Sequence, residues 1–256
     1  MNTGKSNSRI GLGTYRLGDK TLSACLTALE IGYRHIDTAA LYRNEAQVYK
    51  AIKESSVKRE DVFITSKIHI KDIKAENIKA AACKSLENLH KIDLLLLHAP
   101  TDNLVTAWEQ MLEIQQWQEI GEVGVSNFDI CHLQQLSTLP KWNQIEVTPY
   151  LQRRDLVKYC KESQIKIVAH SPLVKGKKLN NNRISSIAHS INITPPQLLI
   201  AWSLAKGYTV LPRSANPIHI QENFAATKVK LSPEIIKQLD TLEEGYATHP
   251  QHIDNQ

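Results

Sequence analysis

Eight short apolar runs recur along the chain, and each is followed by a polar loop and an amphipathic stretch. Their apolar residues do not alternate with polar ones, a pattern typical of strands buried on both faces of a parallel sheet. The runs occupy residues 10–14, 34–38, 62–67, 92–98, 123–126, 144–147, 166–169 and 209–211. The pattern therefore predicts eight parallel strands.

The stretches between the runs have the 3.6-residue period of helices. Residues 78–89 are an example, with one face made of Ile78, Ala82, Leu86 and Leu89. Two further helices are predicted at 184–189 and 232–242. The length of 256 residues matches the ~250 residues of a barrel of eight strand–helix units. We therefore predict an α/β fold, a (β/α)8 TIM barrel with two additional helices, formed by residues 1–256 as one domain. An open, doubly wound sheet is the alternative.

Two helix starts carry local capping signals. Asn44, with Gln47 three residues later, matches a capping box. Asn216 precedes Pro217, which places a capping residue before a proline at the first helical position. We expect both asparagine side chains to bond to the first N–H groups of their helices.

Composition and charge narrow the class of protein. The net charge of +5 is dispersed, and its densest cluster is only 175–178, which disfavours a nucleic-acid partner. The longest aliphatic run, 94–97, is too short to span a membrane, and segment 1–8 is polar, unlike a signal peptide. The four cysteines form no CxxC pair, which is typical of free thiols in a reducing compartment. These features predict a cytoplasmic protein.

Polar residues gather where the predicted strands end, which is where a barrel of this kind carries its chemistry. They are Asp37, Tyr42, Lys67, His98, Ser126, Asn127, Gln144, His170, Ser171, Arg213 and Ser214. A polar residue at one strand end needs no special explanation. An aspartate, a tyrosine, a lysine and a histidine at four such ends point to a catalytic site.

Those four residues suit the delivery of a proton to an oxygen atom. The ordinary pKa of a tyrosine is ~10, and the Lys67 ammonium is expected to lower it for Tyr42. Asp37 would keep Lys67 charged and in place, and the helix that starts after Asn44 favours an anion at its N-terminus. His98 can donate a hydrogen bond to a substrate oxygen. Carbonyl reduction by hydride needs this combination.

At this point the chain resembles the aldo-keto reductase family, as a short-loop, prokaryotic-type member. The resemblance covers roughly residues 10–226, and its collinear motifs are Gly11-Leu12-Gly13-Thr14, Asp37-Thr38-Ala39-Ala40-Leu41-Tyr42-Arg43-Asn44-Glu45, Thr65-Ser66-Lys67, Gly124-Val125-Ser126-Asn127-Phe128, Asn143-Gln144-Ile145-Glu146 and Leu211-Pro212-Arg213-Ser214-Ala215-Asn216. Carried over, the family's catalytic tetrad falls on Asp37, Tyr42, Lys67 and His98.

The resemblance also implies a nicotinamide cofactor held along the strand ends. Ser126, Asn127 and Gln144 match the positions at the nicotinamide, and His170 stands where the family usually stacks an aromatic ring on it. The remaining implied contacts are Thr14 and Asp37, Ser171 and Leu173 at the pyrophosphate, and Arg213, Ser214, His219, Glu222 and Asn223 at the adenosine end. Arg213, Ser214 and a helix N-terminus together suit a 2′-phosphate, so NADPH is the expected cofactor and NADH the weaker alternative.

Two short segments bear on the substrate site. Only residues 99–103 separate His98 from the next helix, and fourteen residues follow Leu242. The resemblance then implies an open site for small aldehydes or dicarbonyls, contacted by Tyr15, Tyr42 and His98, in a monomer.

Two other functions fit parts of the pattern. A metal-dependent barrel hydrolase could use Asp37 with the histidines His69, His98, His170 and His219. However, the chain has no HxH or HExxH pair, and Lys67 would repel the metal. A redox-sensing subunit could bind NADP(H) without turnover, although the complete tetrad argues for catalysis.

Overall fold

The computed structural model describes residues 9–250. Segment 1–8, on which the expectation of no signal peptide rests, lies outside the described residues, as do residues 251–256. Within residues 9–250, no helix combines the length and the apolar character that crossing a membrane requires.

Eight parallel strands, hydrogen-bonded in chain order, form the wall of a barrel. They are β1 (Leu12–Gly13), β2 (His35–Asp37), β3 (Phe63–Ile68), β4 (Ile92–Leu97), β5 (Ile120–Ser126), β6 (Trp142–Glu146), β7 (Lys166–His170) and β8 (Thr209–Leu211). Each overlaps one of the apolar runs, and β5 and β6 begin before theirs. The predicted (β/α)8 barrel is confirmed, and the open doubly wound sheet is wrong.

Backbone bonds between the first and last strands close the barrel. The N–H of Gly11 donates to the carbonyl of Val210 over 2.8 Å, and that of Gly13 donates to Pro212 over 3.0 Å. A Cβ on Gly11 would lie 2.7 Å from the Leu211 side chain and 2.8 Å from the His35 ring. The absence of a side chain at Gly11 is therefore a condition of this close approach.

Helices cover the outside of the barrel. Their bounds are α1 (Thr21–Ile31), α2 (Glu45–Glu54), α3 (Ile70–Lys74), α4 (Ile78–Leu89), α5 (Leu104–Ile114), α6 (Ile130–Leu133), α7 (Arg154–Glu162), α8 (Asn182–Ser190), α9 (Pro195–Ala205), α10 (Pro217–Ala225) and α11 (Pro233–Asp240). The predicted helix at 78–89 is α4. The two additional helices are α8 and α11, as predicted.

One of the two capping predictions is wrong. The Asn216 side chain accepts from the N–H of Ile218, and Pro217 opens α10, as expected. Helix α2 does begin after Asn44, but the Asn44 side chain bonds to none of its N–H groups. Instead, the Asn44 amide accepts from the Thr38 hydroxyl at 2.7 Å and donates to the Thr14 carbonyl at 3.0 Å. Asn44 is buried between strand ends, and their polar groups take its hydrogen bonds.

The interior of the barrel is filled with apolar side chains up to the level of the site. Its cluster consists of Leu94, Leu96, Trp142, Val168 and Leu211. Side chains along a strand alternate between the two faces, so the next inward position on β6 after Trp142 is Gln144. By the same rule, Asp37 and Lys67 follow His35 and Thr65. A polar layer therefore caps the apolar core at the C-terminal ends of the strands.

Candidate active site

The ends of three neighbouring strands bring the predicted tetrad together. Asp37 is the last residue of β2, Lys67 is next to last in β3, and His98 directly follows β4. Tyr42 lies in the short turn between β2 and α2. Since parallel strands all end on the same side of the barrel, the four side chains meet at one edge.

The Lys67 ammonium group is the centre of the site. It is buried, with 1% of the residue exposed, and lies 2.6 Å from Asp37 Oδ1. It also donates to the Thr38 carbonyl at 2.9 Å and to Tyr42 Oη at 3.4 Å. An ammonium has three N–H donors and no acceptor, so these three contacts use all of them. The lysine is thereby fixed in position, and Tyr42 Oη is the most distant of its three partners.

Both carboxylate oxygens of Asp37 are engaged. Oδ1 accepts from Lys67, and Oδ2 accepts from the Gln144 amide at 2.7 Å. Thr14 holds the backbone beside it, because the Thr14 hydroxyl donates to the Asp37 carbonyl at 2.9 Å. This carboxylate therefore fixes Lys67 and Gln144. Residues 9–250 contain no group of three or more His, Cys, Asp or Glu side chains placed to hold a metal ion, and His69 accepts a cap bond at the start of α3.

The electrostatics of Tyr42 differ from the expectation. Burial raises the pKa of Tyr42 well above its ordinary value of about 10, and the negative charge of Asp37 and the nearby Tyr15 add to the rise. The expected lowering of this pKa is therefore wrong in direction, and burial is the main cause. Burial also lowers the pKa of Lys67, while Asp37 acts in the opposite direction. The site therefore holds a neutral phenol.

Two aromatic rings flank the phenol. The Tyr15 and Tyr42 ring centroids are 5.0 Å apart, and the His98 ring lies edge-on to Tyr42 at 5.8 Å. The Asn127 amide donates to the His98 carbonyl at 3.0 Å, which fixes the backbone that carries the imidazole. Tyr42 thus has the rings of Tyr15 and His98 beside it, and its hydroxyl contacts Lys67.

A row of amide and hydroxyl groups lies beside the tetrad at the ends of β5 and β6. The Ser126 hydroxyl donates to the Gln144 carbonyl at 2.9 Å, and the Asn127 amide donates to Ser126 Oγ at 3.1 Å. Asn127 Oδ1 is 2.9 Å from His170 Nε2, and His170 Nδ1 is 3.2 Å from the Ser171 hydroxyl. These bonds fix the orientation of the His170 ring. The four predicted residues Ser126, Asn127, Gln144 and His170 thus form one network.

Comparison with known proteins agrees with this geometry. The family model described as the aldo/keto reductase family matches residues 9–244. The chain belongs to the aldo/keto reductase family. It is an oxidoreductase that acts on carbonyl groups.

Two similar members of the family are named as reductases of small dicarbonyls. A methylglyoxal reductase of Escherichia coli is 37% identical, over 98% of this chain and 94% of that protein. A glyoxal reductase of Bacillus subtilis is 36% identical, over 94% of this chain and 90% of that protein. The crystal structure of an aldo-keto reductase from a deep-sea metagenome library matches with a TM-score of 0.89 and 35% identity, and covers 93% of this chain and 92% of that one.

In this aldo/keto reductase, the residues predicted for the far end of a cofactor surround the start of α10. Arg213 and His219 are exposed, and within residues 9–250 Arg213 forms no ion pair with a carboxylate. Ser214 Oγ accepts from the N–H of Asn216 at 3.0 Å, which shapes the turn. Glu222 is half-buried and Asn223 is buried further along α10. An accessible guanidinium beside a helix N-terminus is a suitable place for an anion.

The loop after β7 follows the same edge of the barrel. Ser171, Val174 and Lys175 all have left-handed backbone, with φ values of 54°, 53° and 51°. Such values are uncommon for non-glycine residues and mark a tightly determined turn. Leu173 is half-buried within it. The predicted residues Ser171 and Leu173 therefore sit in a loop of fixed shape next to His170.

The sequence did not predict that the tail of the chain reaches the site, where it contacts Glu146 and Lys175. Glu146, at the end of β6, accepts from the backbone N–H groups of Thr248 and His249 at 2.9 and 3.2 Å. Lys175 donates to the Thr248 carbonyl at 2.8 Å. The His249 ring lies 6.5 Å from that of Tyr15. The tail therefore runs across the barrel mouth, and the expectation of a site left open by a short tail is wrong on this side.

Proposed function

We propose that the protein reduces small aldehydes and dicarbonyls to alcohols, with NADPH as hydride donor and Tyr42 as proton donor. The observation that carries this proposal is the position of the Lys67 ammonium, 2.6 Å from Asp37 Oδ1 and 3.4 Å from Tyr42 Oη. The relatives named methylglyoxal reductase and glyoxal reductase support the small substrates. All four tetrad members come from one chain, which is consistent with a monomer.

The hydrogen bond from Lys67 determines that the Tyr42 O–H donates to a group other than Lys67. An ammonium can only donate, so Tyr42 Oη accepts from Lys67, and its own O–H is left to donate elsewhere. The raised pKa of Tyr42 keeps that proton in place across neutral pH. The phenol gives it up only to a strong base, which is what a carbonyl oxygen becomes as it gains negative charge. Lys67 then stabilises the phenolate, and His98 donates to the same substrate oxygen.

The residues at the strand ends fit the nicotinamide cofactor. A bound reduced nicotinamide supplies the hydride. The amides and hydroxyl of Asn127, Gln144 and Ser126 suit its carboxamide, and the oriented His170 ring offers a flat face. Arg213, Ser214, His219 and the N-terminus of α10 suit the 2′-phosphate that distinguishes NADPH from NADH.

Substrate size tests the proposed activity. We expect a small dicarbonyl such as methylglyoxal to give a higher kcat/KM than a steroid ketone, because the tail places the His249 ring 6.5 Å from that of Tyr15 and narrows the mouth beside the tetrad. The measurement is a panel of aldehydes and ketones, followed by the loss of absorbance of the reduced nicotinamide. A steroid ketone that outperforms every small aldehyde would contradict the proposed substrate class.

The cofactor preference depends on Arg213. We expect Arg213→Ala to lower the ratio of kcat/KM for NADPH over NADH about tenfold, the size of one lost charge-assisted hydrogen bond. We expect His219→Arg to raise the ratio, because it adds a permanent charge in the first turn of α10. Arg9→Ala is the control, since Arg9 is an exposed arginine that precedes β1. Preference of the wild-type enzyme for NADH would show that the Arg213–His219 region does not bind a phosphate.

A further inference from the structure

The last described residues form a strap over the barrel mouth. We define the strap as residues 243–250, which follow α11. Its start is tied to the segment after β6, because the N–H groups of Glu244 and Tyr246 both donate to the Tyr150 carbonyl, at 3.2 and 3.0 Å. The Glu243 carboxylate also accepts from the N–H of Gln152. The strap thus begins at a fixed place beside β6.

The end of the strap is held by a buried carboxylate. Glu146 is 3% exposed, and its two oxygens accept from consecutive backbone N–H groups, those of Thr248 and His249. Burying a carboxylate is costly unless it is hydrogen-bonded, and these two strap amides supply bonds to both oxygens. Within β6, Glu146 is two residues beyond Gln144 on the same face, so it lies directly above the tetrad layer.

A second bond holds the same peptide from the other side. Lys175 donates to the Thr248 carbonyl, and Lys175 belongs to the left-handed turn after β7. The N–H and the carbonyl of Thr248 are therefore both fixed, one by β6 and one by the loop after β7. A chain held at two points of one residue has little freedom to move away from the mouth.

The side chain presented by this arrangement is the imidazole of His249. Its ring centroid lies 6.1 Å from that of His170 and 6.5 Å from that of Tyr15. The Tyr15 ring in turn contacts that of Tyr42 in a tilted arrangement, with the centroids 5.0 Å apart. A single ring, that of Tyr15, therefore separates His249 from the phenol of the tetrad.

We propose that Glu146 is a positioning residue for substrate recognition, which pins the strap so that the His249 ring forms one wall of the substrate pocket. The proposal rests on the proposed reduction of small carbonyl compounds. With the strap pinned, His249 and Tyr15 narrow the pocket beside Tyr42, and small dicarbonyls keep contact with both rings. With the strap released, that wall is lost and larger substrates gain room.

The test compares Glu146→Gln, His249→Ala and the double variant. The amide keeps the size of Glu146 but replaces one of the two acceptor oxygens by a donor that faces an N–H group. We expect Glu146→Gln to raise KM for methylglyoxal about tenfold, with kcat within twofold, because the tetrad is untouched. The ratio of kcat/KM for a bulky aromatic aldehyde over methylglyoxal should rise by a similar factor. In the His249→Ala background, the same substitution should add less than twofold.

Hydrogen–deuterium exchange of the strap provides a readout that needs no turnover. We expect the backbone amides of Thr248 and His249, which bond to Glu146, to exchange faster in Glu146→Gln. The matched control is Glu234→Gln, the same change at an exposed position of α11 outside the strap, which should leave the KM for methylglyoxal unchanged. If Glu146→Gln fails to fold, Lys175→Met weakens the strap from the surface, with Lys177→Met as its control, and should shift the substrate ratio in the same direction.

The outcomes separate this proposal from the proposed function. An active wild-type enzyme whose substrate ratio does not change when strap exchange becomes faster would overturn the role of His249. Fully additive effects of Glu146→Gln and His249→Ala would overturn the route through His249. A wild-type enzyme that reduces no carbonyl compound would overturn the proposed function, and the role in substrate recognition with it.

Discussion

Tyr42→Phe is expected to remove nearly all reductase activity, with a loss in kcat of about a thousandfold. The change deletes one oxygen atom. Among residues 9–250, that oxygen belongs to the only hydroxyl to which Lys67 donates a hydrogen bond. The flanking rings of Tyr15 and His98 keep an apolar ring of the same shape in place. The fold and cofactor affinity should therefore remain close to wild type.

The measurement combines kcat for a small aldehyde with thermal unfolding and cofactor affinity. Tyr49→Phe is a matched control, because Tyr49 lies in α2 and its ring contacts that of His90 away from the site. It should keep wild-type turnover. If Tyr42→Phe retained a tenth of wild-type kcat, Tyr42 would not be the proton donor.

Lys67→Met should have an effect of similar size on kcat, several orders of magnitude, for a different reason. The phenolate that forms when Tyr42 gives up its proton would lose its nearest positive charge. The change also leaves Asp37 buried without its ionic partner, which typically costs 3–5 kcal/mol of stability, so about that loss is expected. Affinity for the cofactor should change little.

A double variant separates catalysis from stability. Asp37→Asn in the Lys67→Met background removes the unpaired charge, so it should recover much of the stability without recovering activity.

The pH profile gives an independent check. The active form of Lys67 is protonated, and burial lowers its pKa from the ordinary value, so kcat/KM should fall as pH rises through that lowered pKa. The pKa of Tyr42 is raised, so this alkaline fall reports Lys67. Equal losses in cofactor affinity and kcat would instead indicate a structural role for Lys67.

The barrel and the proximity of the four tetrad residues could be predicted from sequence. Both follow from where the strands lie and where they end. Each apolar run became a strand, and a parallel barrel brings the C-terminal ends of its strands to one side. Asp37, Lys67 and His98 each end or closely follow such a run. Their proximity therefore follows from topology and needs no knowledge of side-chain packing.

Other features depend on contacts between distant parts of the chain. The bond between Thr248 and Glu146 joins residues 102 apart in sequence, and no local pattern indicates that the tail would reach β6. The local capping signal at Asn44 failed because its Oδ1, the atom that would accept a helix N–H, accepts from the Thr38 hydroxyl, while its Nδ2 donates to partners 23 and 30 residues away. The direction of the Tyr42 pKa shift depends on how completely its ring is buried, which is a property of the packed site.

The bonds of Asn44 have a consequence for how the site unfolds. Its amide joins the end of β1 at Thr14, the start of α1 at Thr21 and the end of β2 at Thr38, and it stands two residues beyond Tyr42. The turn that carries the phenol cannot open without breaking contacts to all three elements at once. That turn therefore belongs to the same cooperative unfolding unit as the first two strands of the barrel, unlike a typical surface loop, which opens locally at low cost. Tyr42 lies on a loop in sequence, but we expect it to unfold only when the barrel wall does.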